Sequence, residues 1–143
     1  MNGAQNVPHG AKRLVFIDIE TQSQAALETI GGRKYAADAS TTVLCVVALL
    51  PDGAWIEWKP GDPPPEALFA AVTAGNPIAA HNAHGFDRFI WVKLKWPKVS
   101  RWIDTMKLAR AAGLPAILDE IGQRLYGRGK DKEGRELTLR LSK

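Results

Sequence analysis

Leu14-Val15-Phe16-Ile17-Asp18-Ile19-Glu20-Thr21 is the stretch that decides how this chain can fold. Its apolar, β-branched and aromatic residues are typical of a central buried strand, which we expect from about residue 13 to residue 19. Because side chains alternate along a strand, Asp18 and Glu20 point to the same side, about 7 Å apart. Two carboxylates at the end of a buried strand repel each other and lose hydration unless a cation lies between them. A divalent metal with oxygen ligands would satisfy them, and so would full exposure to solvent.

Length and composition are those of an ordinary globular domain. The chain has 143 residues, of which 45% are hydrophobic and 24% charged, enough for one domain with its own core. Its one cysteine, Cys45, excludes a disulfide framework and favours a reducing compartment. No apolar run approaches the roughly 20 residues of a membrane span, and residues 1–10 show no signal-peptide core. We therefore expect a cytoplasmic protein with no membrane partner.

Hydrophobic patterns predict further strands and helices after the first strand. A short helical turn at 24–30 is expected to end at the Gly31-Gly32 pair. Asp104 has the side chain and the position of a helix cap. We expect strands at 41–50, 54–58 and 78–80, and helices at 65–74, 86–95, 106–112 and 114–126. This order predicts an α/β fold in which a mixed sheet is flanked by helices.

The expected domain covers residues 13–126, between a flexible leader at 1–12 and a basic, glycine-containing tail at 127–143. Most of the net charge of +4 lies in that tail, because residues 128–143 hold six basic and three acidic side chains. A basic segment favours a polyanionic partner such as nucleic acid, although a solvated tail is the commoner explanation. Charge alone therefore leaves nucleic-acid binding open.

The second informative stretch is Ala80-His81-Asn82-Ala83-His84-Gly85-Phe86-Asp87-Arg88. A short strand leads into a glycine-containing turn, and Asp87 then falls in the first turn of a predicted helix. An acid at that place is favourable near a helix N-terminus and needs no further function. Together with Asp18 and Glu20, however, it supplies a third carboxylate from a different element. Carboxylates that hold two metals roughly 4 Å apart are typical of phosphodiester hydrolysis.

These two segments, in this order, resemble the motifs of a known enzyme family. Phe16-Ile17-Asp18-Ile19-Glu20-Thr21 resembles the first motif of the DnaQ-like (DEDD) 3′–5′ exonucleases, and His81-Asn82-Ala83-His84-Gly85-Phe86-Asp87 resembles the second. Segments at 32–41, 103–106 and 130–135 make the resemblance closest to the proofreading exonuclease domains of phage-type family A DNA polymerases. The resemblance extends over residues 13–143.

The resemblance implies a fold, a reaction and a set of metal ligands. The implied fold is ribonuclease H-like, and the implied reaction removes nucleoside 5′-monophosphates from DNA 3′ ends, as in polymerase proofreading. Asp18, Glu20 and Asp87 would be the catalytic carboxylates and would bind Mg²⁺ or Mn²⁺ in a two-metal site. The expected partners are a single-stranded DNA 3′ end and a DNA polymerase, or the remainder of one.

Further side chains are candidate nucleic-acid contacts: Thr21, Tyr35, His81, Asn82, His84 and Phe86. In the resemblance, Asn82 would orient the second-motif loop or contact the nucleic-acid end, while Thr21 and Phe86 would line the site. A structural hydrogen bond is the alternative role for His81. His84 has two alternatives, exposure on its loop or service as a general base.

The third motif of this family does not occur in the sequence. Family members place Tyr-x3-Asp or His-x4-Asp on a late helix, where the aromatic residue positions the attacking water. Residues 126–131 form Tyr-x4-Asp instead, with Gly127 and Gly129 inside the segment. We therefore expect a C-terminally incomplete fold. Three interpretations stay open: an exonuclease domain or fragment, an inactive module that binds nucleic acid or a polymerase, and an exoribonuclease of the same superfamily.

Overall fold

The computed structural model describes residues 13–129 together with residues 131, 133, 136 and 140. The predicted leader and the rest of the predicted tail lie outside the described residues. Across the described part, the elements follow in the order β1 (Val15–Gln22), α1 (Leu27–Ala37), β2 (Thr42–Leu49), β3 (Trp55–Trp58), α2 (Glu66–Thr73), β4 (Ile78–Ala80), α3 (Asp87–Lys93), β5 (Trp102–Asp104), α4 (Thr105–Ala111) and α5 (Leu118–Tyr126). None of these helices has the length and apolar character that crossing a membrane requires.

The strands form one mixed sheet with β1 at its centre. Their order is β3-β2-β1-β4-β5, in which β2 runs antiparallel to both β1 and β3, while β4 and β5 run parallel to β1. The predicted turn at 51–53 joins β2 to β3, and Gly53 supplies the positive φ of 90° at that turn. The predicted α/β architecture with a mixed sheet is confirmed.

The two faces of the sheet are covered differently. Val15, Ile17 and Ile19 of β1 are buried in a core that also contains apolar side chains of α1, α2 and α3. The opposite face carries Phe16, which is 45% exposed. Trp55 lies two strands away in the same row of that face and is 70% exposed. The predicted burial of β1 therefore holds for one face, because the described helices that contribute to this core pack on that side.

Three elements differ from the sequence prediction. Helix α5 begins at Leu118, four residues later than expected. Helix α1 breaks at Gly31 as predicted, since its φ of 74° and ψ of 159° are not helical, but a second helical stretch follows and runs to Ala37. Tyr35 and Ala36 in that stretch are buried in the core. Strand β5 has no predicted counterpart, because only two apolar residues, Trp102 and Ile103, precede the predicted helix cap Asp104. It forms by parallel pairing with β4 and brings Asp104 beside Ala80.

Candidate functional site

Two of the three predicted carboxylates lie on the open face of β1. Asp18 is exposed and Glu20 is half-buried. Both are held by the ladder with β2, where Asp18 pairs with Val47 and Glu20 pairs with Cys45. The register of this pairing shifts between Glu20 and Thr21, directly after the second carboxylate. The central strand therefore presents both acids from a rigid backbone.

The third carboxylate, Asp87, is the first residue of α3 and is only 2% exposed. Burial and, next in size, the neighbouring charge of Asp18 together raise the pKa of Asp87 to about 7. The charges of Asp104 and Glu20 act in the same direction. A carboxyl on a helix and two carboxylates on a strand therefore share one electrostatic neighbourhood, as the three-carboxylate interpretation requires.

The donor chemistry of this neighbourhood suits a hard divalent cation. Carboxylate oxygens are the ligands that Mg²⁺ and Mn²⁺ prefer, and a buried carboxyl beside like charges is relieved by a cation. Among the described residues, however, no three His, Cys, Asp or Glu side chains are already gathered into a metal-binding group. Asp18, Glu20 and Asp87 are thus close enough to interact electrostatically, without a closed set of ligands.

A groove of about 280 Å³ opens beside Glu20. Its walls come from the end of β1, from both ends of α1 and from the loop before α3, and they include Thr21, Tyr35 and Phe86. The Thr21 and Tyr35 hydroxyls lie 3.0 Å apart, within hydrogen-bonding distance. The Tyr35 and Phe86 rings lie 6.0 Å apart at 51°. The structure thus brings four of the predicted site residues to one groove.

The loop at residues 81–86 is shaped by Asn82. This residue has a φ of 67°, in the left-handed region, and its carbonyl oxygen accepts hydrogen bonds from the amides of Gly85 (3.0 Å) and Phe86 (2.9 Å). Its side chain lies against Gly85, where a Cβ would overlap the Asn82 amide group. Asn82 therefore sets the path of the loop that leads to Asp87.

The His81 side chain is held by hydrogen-bonding partners outside the groove. Its Nδ1 lies 3.1 Å from the Thr105 hydroxyl, and its Nε2 lies 2.7 Å from the Ala116 carbonyl oxygen. Together with Asn82, His81 lines a separate cavity of about 460 Å³ against residues 116–120. This geometry favours the structural alternative for His81 over a contact in the groove.

His84 and Asp104 form a contact between the loop and α4. The His84 backbone amide donates to Oδ2 of Asp104 at 3.0 Å, while the His84 ring Nδ1 lies 3.6 Å from the same oxygen. Asp104 also accepts hydrogen bonds from the amides of Met106 and Lys107, which confirms its predicted role as a helix cap. Its second role, toward the loop, depends on a residue 20 positions away and has no signal in the sequence.

The comparisons with known proteins identify no family for this chain. The chain matches no protein-family model and none of the curated protein sequences. It is similar to a solved structure of the family B DNA polymerase from the hyperthermophilic archaeon Pyrobaculum calidifontis, with 18% identity and a TM-score of 0.34. That likeness covers 77% of this chain and 12% of the polymerase chain, so this chain spans a small part of the polymerase's length.

Gly32 allows α1 to approach the loop that carries Phe86. A Cβ at Gly32 would overlap the backbone carbonyl oxygen of Gly85. We expect Gly32→Ala to force the helix and the loop apart and to lower the free energy of unfolding by about 1–3 kcal/mol, measured by urea denaturation. Ala37→Ser, at an exposed position of the same helix, should change it by less than about 0.5 kcal/mol. Equal stability of the two variants would contradict a tight approach here.

Proposed function

We propose that this chain is a metal-dependent 3′–5′ exonuclease domain, on a ribonuclease H-like fold, that removes nucleoside 5′-monophosphates from DNA 3′ ends. The observation that carries the proposal is Asp87, a buried carboxyl whose pKa is raised to about 7 by burial and by the charge of Asp18, with a smaller contribution from Glu20. Strongly perturbed carboxyl groups of this kind concentrate at functional sites. The ordered resemblance of residues 16–21 and 81–87 to exonuclease motifs supports the same proposal.

In this proposal Asp18, Glu20 and Asp87 hold one or two Mg²⁺ or Mn²⁺ ions. When bound, such a cation supplies Lewis-acid stabilisation of the negative charge that develops on the scissile phosphate. Asp18 and Glu20 contribute ligands on a rigid central strand, and Asp87 contributes one from the end of a loop. Hydrolysis adds water across the last phosphodiester, breaks the bond between phosphorus and the 3′ oxygen, and releases a nucleoside 5′-monophosphate.

The groove beside Glu20 would hold the terminal nucleoside. Its volume of about 280 Å³ is close to the lower end of ligand pockets, about 300 Å³, so it suits a single nucleoside. Phe86 and Tyr35 supply apolar ring surface, and the hydrogen bond between Tyr35 and Thr21 keeps that wall in place. A groove of this size favours a frayed single strand as the substrate.

The test is digestion of one single-stranded DNA carrying either a 3′ or a 5′ label. With Mn²⁺ or Mg²⁺ we expect immediate release of labelled mononucleotide from the 3′-labelled strand and a shortening ladder from the 5′-labelled strand. EDTA and a mock purification should both give no release. Internal cleavage, products with 3′ phosphates, or no release in either metal would overturn the proposal. An RNA of the same sequence decides between the deoxyribonuclease and exoribonuclease interpretations.

A second candidate is a non-catalytic module that binds nucleic acid or a DNA polymerase. The observation in its favour is that the described residues hold no preassembled group of three metal-ligating side chains. The exposed Phe16 and Trp55 side chains on the open sheet face offer a surface to a protein partner. For this candidate we expect single-stranded DNA to bind, measured by fluorescence anisotropy, with no mononucleotide released in Mn²⁺.

A further inference from the structure

We propose that Asp104 is a positioning residue of the candidate site, which holds the loop at residues 81–86 against α4 and so determines where Asp87 lies. The consequence for catalysis rests on the proposed exonuclease function. The positioning itself is a statement about the loop and has its own test.

The two oxygens of the Asp104 carboxylate serve different elements. Oδ1 accepts from the backbone amides of Met106 at 3.1 Å and Lys107 at 3.3 Å, and so caps α4. Oδ2 accepts from the backbone amide of His84 at 3.0 Å. Asp104 is only 4% exposed, so these hydrogen bonds form largely out of contact with water. One carboxylate therefore joins the start of a helix to the middle of the loop.

The loop passes this constraint on to Asp87 through its own backbone. The amides of Gly85 and Phe86 donate to the carbonyl oxygen of Asn82, so the two ends of the loop are held together by backbone hydrogen bonds. The amide of Arg88, the residue after Asp87, donates to the carbonyl oxygen of Ala83 at 3.1 Å. Ala83 is fully buried and directly precedes His84. A displacement at His84 is therefore expected to reach the first turn of α3.

The electrostatics are consistent with an ionised Asp104 in this role. Burial by itself would raise the pKa of Asp104, but amide hydrogen bonds from His84, Lys107 and Met106 more than offset it and hold the pKa below the ordinary value. An ionised carboxylate accepts hydrogen bonds at both oxygens at once. Its charge also contributes to the raised pKa of Asp87, so the two groups are near each other.

Asp104→Asn separates capping from positioning. Asparagine caps helices about as well as aspartate, but its single oxygen cannot serve both α4 and the loop, since the amide NH₂ only donates. If the side-chain oxygen of the variant accepts from Met106 and Lys107, its NH₂ group faces the backbone amide of His84. Two donors then oppose each other, and the His84 amide has no acceptor. We expect the variant to fold cooperatively. Amide hydrogen exchange, followed by NMR on the full chain, should be at least about tenfold faster at both His84 and Arg88, because the loop loses one hydrogen bond to a charged group.

The matched control is Asp52→Asn, since Asp52 also accepts a backbone amide, that of Ala54 at 2.9 Å, but lies in the β2–β3 turn. In this variant exchange at His84 and Arg88 should not change. Unchanged exchange at His84 in Asp104→Asn would show that the loop is held without Asp104. Faster exchange at His84 alone would show that the constraint does not reach Asp87. Either result overturns the proposal.

The link to the proposed function is measured separately. If Asp104 positions Asp87, Asp104→Asn should also weaken Mn²⁺ binding, measured by calorimetry with the metal alone, and slow mononucleotide release about tenfold, while Asp104→Ala should lose helix stability as well. Unchanged Mn²⁺ affinity and rate in the Asn variant would overturn the positioning role. A wild-type chain that neither binds Mn²⁺ nor digests DNA would refute the proposed function, while the exchange result would still decide whether Asp104 positions the loop.

Discussion

Asp87→Asn is expected to make the metal-free protein more stable at pH 8. The pKa of Asp87 is raised from its ordinary value of 3.8 to about 7 in the folded chain, first by burial and then by the charge of Asp18. The folded state therefore holds this proton more tightly than the unfolded state, and the stability that it contributes is lost as pH rises from about 4 to about 7. At pH 8 the ionised group costs the wild type on the order of 4 kcal/mol.

Asparagine is neutral at every pH and close to protonated aspartate in shape, so it avoids this cost. In EDTA we expect the variant to exceed the wild type in free energy of unfolding by several kcal/mol at pH 8. We expect little difference between them near pH 3, where both states of the wild type are mostly protonated. Urea denaturation at the two pH values measures this. Glu66→Gln, at an exposed position, should show no such pH dependence.

Added Mn²⁺ should narrow the difference in stability between the two proteins. At a concentration about 100-fold above its dissociation constant, a ligand of the folded state stabilises by about 2.7 kcal/mol. The wild type should gain this stabilisation at pH 8, and Asp87→Asn should gain little, because one carboxylate ligand is lost. An Asp87→Asn variant that is less stable than the wild type at pH 8 in EDTA would contradict the electrostatic argument.

Asp18→Asn and Glu20→Gln are each expected to abolish most metal-dependent release of mononucleotides while leaving the fold intact. Asp18 is exposed on the open face of β1, so the loss of its charge removes no core packing. Metal-assisted charge stabilisation contributes several kcal/mol to the transition state. Loss of one ligand should therefore lower the rate at least about 100-fold. Single-turnover digestion of 3′-labelled DNA measures the rate, and circular dichroism checks the fold.

Glu57→Gln is the matched control for these two variants. Glu57 is an exposed acid on the same face and in the same row of the sheet, since it pairs with Val47, which pairs with Asp18. It is two strands away from Asp18 and outside the proposed site, so the rate should not change. A full rate in Asp18→Asn, or an equal loss in Glu57→Gln, would exclude specific metal binding by the acids of β1.

Features that depend on adjacent residues could be read from the sequence. The apolar run before Asp18 determined that β1 is the central strand, because a strand with that much apolar surface is stable only inside a sheet. Strand alternation determined that Asp18 and Glu20 share a side. The Pro51-Asp52-Gly53 turn and the Asp104 cap follow from local backbone chemistry in the same way. These features are also found in the structure.

The environment of each candidate residue was decided by tertiary structure alone. Burial of Asp87 near Asp18 and Asp104 depends on bringing together α3, β1 and the end of β5, which are distant in sequence. His81 meets Ala116, 35 residues away, and Asp104 meets His84, 20 residues away. The exposure of Phe16 likewise depends on which side of the sheet the helices cover. Sequence patterns report which residues prefer burial or a turn. Shifted pKa values, long-range hydrogen bonds and exposed sheet faces depend on the distances between segments that are far apart in sequence. Those distances are fixed only when the segments pack together.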